Sequence, residues 1–155
     1  MKPRPDAALE VALEQRQRAL DEQRQALAEH EQVVQEHIML LSTAQARVRM
    51  VLLQIDTAQR PAAGVSLPVA VLGDLERLLD WCEVQVALQQ ERLEAAQAEA
   101  DIARGAVAVA HQQVRALELV LEARAAERAE KQRRVEVREA DETAARVHSQ
   151  KAATR

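Results

Sequence analysis

Taken every seventh residue from Leu13, the chain is apolar without a gap: Leu13, Leu20, Leu27, Val34, Leu41, Val48 and Ile55. A second line starts at Leu72 and runs through Leu79, Val86, Leu93, Ala100, Val107 and Val114 to Leu121. Three residues on, Leu75, Cys82, Gln89, Ala96, Ala103, Ala110 and Leu117 supply a companion line. Two lines at that offset are the a and d positions of a coiled coil, and a sustained seven-residue period dictates left-handed supercoiling. Little else fits such a pattern. The chain has no Phe or Tyr and a single Trp. A globular core of this size would use several aromatic rings, each burying about 150–250 Å².

The period breaks once, in the stretch RPAAGVSLPVAVLGD beginning at Arg60. Pro61 cannot continue a helix, Gly64 can close one in the left-handed conformation, Ser66 can cap the next, and Pro68 is tolerated in a first turn. At the other end Pro3 and Pro5 precede Asp6, a natural N-cap, with Glu10 close behind. The reading is all-α: an antiparallel two-helix coiled-coil hairpin with helix one over 7–59, a loop over 60–66 and helix two over 67–148. So short a connection makes the helices antiparallel neighbours. With the turn centred near residue 63, helix one runs out of length opposite residue 120, and 122–148 is expected to overhang without a partner.

Polar residues interrupt the seam of helix one at Arg16, Gln23, His30 and His37, which predicts loose packing toward the termini. Charge is uneven. The net is −4, but residues 61–121 hold four basic and nine acidic groups, whereas 122–155 hold nine and seven. Basic groups alternating with acids, without stacking aromatics, argue against nucleic acid. No stretch resembles the roughly 18 apolar residues of a membrane span, so no membrane insertion is expected. The single Cys82 excludes an internal disulfide and fits a reducing compartment. The sequence reads as a cytoplasmic protein.

Chemistry is sparse. His30 and His37 share a face but lie two turns apart, about 10.5 Å of rise, too far for one metal ion. Cys82 in the seam reads as a small core residue. Gly64, Gly73 and Gly105 form no phosphate loop, and Gly105 in mid-helix marks a kink or a close contact. No nucleophile–base pair is visible. We expect no enzyme, no metal and no cofactor.

The loop Gly64-x-Ser66, the leucine-rich LGDLERLLDWCEVQVALQQERLEAA from Leu72 and the charged run EARAAERAEKQRRVEVREADE from Glu122 resemble the FliJ/YscO family of type III export, flagellar or injectisome. The resemblance covers nearly the whole chain. It implies a stalk whose terminal end enters the central hole of a hexameric export ATPase, promotes its assembly and activity, and also meets an export-gate protein and export chaperones. It implies a cytoplasmic protein, peripheral at the inner-membrane export apparatus, monomeric or weakly dimeric. By the same resemblance the ATPase contact falls on Arg124, Arg128, Arg133, Arg134 and Arg138, and the gate contact on Leu75, Leu79, Cys82 and Val86. The rival expectation is a structural scaffold without a motor partner. It would self-associate into a four-helix bundle by burying Val33, Ile38, Leu40, Ile102 and Val109.

Overall fold

The structure, a computed structural model, describes residues 6–60 and 68–153. Two helices account for almost all of it: α1, Ala7–Gln59, and α2, Val69–Ala153. Both follow from long runs of Ala, Leu, Glu, Gln and Arg, which lose little side-chain freedom in a helix. The second helix is the longer, as expected for this hairpin. The breakers Pro3, Pro5, Pro61, Gly64 and Ser66 lie outside the described residues. Pro68 stands just before α2, and its carbonyl accepts a hydrogen bond from the Val71 amide at 2.9 Å. Asp6 likewise stands just before α1, its carbonyl accepting from the Glu10 amide at 2.9 Å.

By its contacts the chain divides into two compact units, each drawing on both helices. The first comprises the described parts of Met1–Leu20 and Ala110–Arg155; the second is formed by the described parts of Asp21–Val109. In the first, Arg16 Nη1 donates to Gln113 Oε1 at 3.0 Å while Asp6 meets Arg124, so the helices run antiparallel. Leu20 and Val114 are its buried apolar residues. In the second, Leu41, Ala44 and Val51 of α1 and Cys82, Leu93, Ala96, Ala100 and Ala103 of α2 are buried. These are the two heptad lines and their companions. Ala100 is fully enclosed at 0% exposure, and the run of seam alanines lets the backbones approach closely where a leucine would hold them apart.

Three expectations shift. The pairing is displaced by about one turn: Arg16 meets Gln113 rather than Ala110, and His30 meets Glu99, 3.7 Å away, rather than Ala96. Gly105 marks no close approach, because a Cβ there would meet open space within a helix that runs from Val69 to Ala153. Finally, α1 does contain a stretch long and apolar enough to cross a membrane by length and composition, and only 17% of that stretch is buried. The reason is that apolar residues sit on the outside of α1 as well as in its seam, with no acidic side chain between Glu36 and Asp56.

Candidate functional site

The charged end of α2 begins inside the first unit. Arg124 Nη1 donates to Asp6 Oδ1 at 3.2 Å, and Arg128 Nη1 donates to Asp6 Oδ2. Asp6 itself is only 6% exposed. The hydrogen bond from Arg128 is the main cause that holds its carboxyl below the ordinary aspartate value; burial opposes this, and Arg124 adds to it. The sequence suggested Asp6 as an N-cap. Its backbone does hold that position, but its carboxylate reaches across to the other helix. Pairing between α1 and α2 in this unit therefore extends to Arg128, past the point where the overhang was expected to begin.

Beyond it, Glu130 is half-buried and every described residue from 131 onward is exposed. Here the ion pairs stay within the helix: Lys131 with Glu127 at 3.1 Å, Arg133 with Glu130 at 3.5 Å and Arg134 with Glu130 at 3.0 Å. Exposed pairs of this kind are worth about 0–1 kcal/mol each, so they are readily exchanged for a partner's charges. Arg138 is exposed and has no ion-pair partner among the described residues. Thus the five arginines fall into two groups. Arg124 and Arg128 are engaged by Asp6; Arg133, Arg134 and Arg138 stand on solvated helix.

The four residues expected to meet an export gate lie elsewhere, in the second unit. Cys82 is 3% exposed and Leu75, Leu79 and Val86 are half-buried, all on the seam lines of α2. Their seam positions commit them at least in part to packing the hairpin, Cys82 most of all. On the same turns Leu78, Trp81, Val84 and Leu88 are exposed. Heptad phase could have separated the two sets in the sequence: Leu78, Trp81, Val84 and Leu88 all fall outside the a/d lines. Among the described residues no group of three or more His, Cys, Asp or Glu side chains is placed to hold a metal ion.

An antiparallel helical hairpin whose second helix carries an exposed, charged, arginine-bearing end is the architecture of a two-helix coiled-coil protein. In a comparison with known families, residues 5–153 match FliJ, the flagellar FliJ protein. The chain belongs to the FliJ family, and with it to the components of flagellar, type III protein export rather than to an enzyme family. No curated protein and no solved structure matches it significantly.

Proposed function

We propose that this protein is a cytoplasmic central stalk of the export apparatus, peripheral at the inner membrane. Its terminal end enters a hexameric export ATPase, favours assembly and hydrolysis of the ring, and works alongside the export gate and export chaperones. The observation that carries the reading is the helix beyond Arg128. From residue 131 onward every described residue is exposed, the ion pairs of Arg133 and Arg134 stay within the helix, and Arg138 stands exposed beside them. Many weak surface charges suit a contact that must tolerate rotation inside a ring better than one deep anchor would. Arg124 and Arg128 join the contact once they leave Asp6.

The test is a titration of the full chain into the export ATPase of the same cell, following hydrolysis and ring assembly. Stimulation should saturate near one chain per ring. Replacing Arg133, Arg134 and Arg138 together by Glu should lower it about tenfold or more, since three attractive contacts become repulsive. Undiminished stimulation by that variant would refute the placement, and no stimulation by the native chain would refute the stalk.

The scaffold reading draws on a separate observation: Val33, Ile38, Leu40, Ile102 and Val109 are all exposed. A stable tetramer in light scattering, with no effect on the ATPase, would favour it.

A further inference from the structure

The outer side of α1 in the second unit carries a second seam. Met39, Thr43, Ala46, Met50, Leu53 and Thr57 succeed one another at alternating intervals of four and three residues, the a/d spacing of a coiled coil. They lie on the side of the helix away from the hairpin seam of Leu41, Ala44, Val48 and Val51. Met39, Met50 and Leu53 are 71%, 57% and 59% exposed. The two threonines add no free polarity: Thr43 Oγ1 donates to the Met39 carbonyl at 3.0 Å and Thr57 Oγ1 to the Leu53 carbonyl at 2.8 Å. The stripe is about 27 Å long at 1.5 Å per residue, enough for five turns of a facing helix.

Its central edges are basic. In the register set by this stripe, Arg47 and Arg49 occupy the e and g positions of the middle heptad, one on each side, while Asp56, at the last g position, is held by Arg60 3.1 Å away. Both are exposed and neither holds an ion pair among the described residues. An apolar ridge bordered by bare guanidiniums selects a helix with an apolar ridge of its own and carboxylates along its edges. We propose that this face docks a single amphipathic helix of a partner protein, with Leu, Ile or Val along the ridge and Asp or Glu on both edges.

Two other occupants fit less well. In a second copy, stripe against stripe would set arginine against arginine. The outer face of α2 around Trp81, Val84 and Leu88 has acidic neighbours in Asp80 and Glu91. In the hairpin, however, it points away from the α1 stripe, so copies joined stripe to face would stack head to tail without closing. A lipid surface would favour interfacial aromatics and a lysine-rich polar face, and this stripe has neither. The inference is independent of the stalk and involves no residue of the charged end.

The test uses the full chain and a fluorescently labelled three-heptad helical peptide with Leu at a and d and Glu at e and g, beside a twin with Lys at e and g. The Glu peptide should bind about tenfold or more tightly than the Lys peptide. Met50→Glu, at an exposed position, should abolish binding while leaving helicity by circular dichroism unchanged. The double variant Arg47→Glu, Arg49→Glu should reverse the preference. Equal binding of the two peptides, or a preference that survives charge reversal, would overturn the proposal. Two further results would also overturn it: displacement of the peptide by phosphatidylglycerol vesicles, which would assign the face to lipid, and a dimer abolished by Met50→Glu, which would assign it to a second copy.

Discussion

Asp6 is the buried charged side chain of the described structure, and it is tolerable because two guanidiniums surround it. Its folded pKa lies below its unfolded value near 3.8. The sign follows: the contribution to stability is fully present above the unfolded value and disappears as pH falls through the lower, folded one. In thermal melts, Asp6→Asn should therefore lie below the native chain at neutral pH, and the gap should close as pH is taken through and below 3.8. A gap that persists in acid would mean that packing, not charge, is what the carboxylate contributes. Elsewhere in the seam polarity is not matched so well. His37 Nδ1 and Gln89 Oε1 are buried without a hydrogen-bond partner in the protein. Such groups cost stability, because a buried polar atom without a partner keeps its desolvation penalty.

The elements were largely legible in the sequence. The seven-residue period told which faces of both helices meet, since Leu20, Leu41, Leu93, Ala100 and Val114 are all on the lines that it picked out. Register was less legible. A hairpin's register depends on turn geometry as well as on heptads, and counting outward from the turn fixes it only to within about one turn. The Asp6 contact was hidden for the same reason, because it joins residues 118 and 122 positions apart and requires the register to be right to within a turn. The outer stripe of α1 was missed because attention to the main lines leaves Met39, Met50 and Leu53 looking like scattered surface residues. Gly105 shows the opposite error, a close contact inferred where there is open space. Glycine in mid-helix with open space around it is only a loss of helix propensity. Gly105→Ala should accordingly raise the free energy of unfolding by about 0.5–1 kcal/mol, measurable by urea titration with an unchanged m-value.

For the whole molecule, packing thins out along α2. Buried apolar residues end at Val114, the last contacts with α1 are at Arg124 and Arg128, and described residues from 131 onward are exposed. A chain lacking residues from 131 onward should melt within about 2 °C of the native one, as expected when only exposed positions are lost, yet fail to stimulate the ATPase. A chain cut at 122 loses both arginine contacts of Asp6 and should melt measurably lower. If the two truncations melt alike, the Asp6 contact does not stabilise the hairpin.

The same contact bears on how the molecule is made. Asp6 is synthesised before Arg128, its partner, which lies 122 residues downstream. Synthesis runs from the N-terminus, and closing long loops is slower and entropically dearer than closing short ones. Closure of the nearer contacts first is the entropically cheaper order, which leaves Asp6 among the last groups to meet its partners.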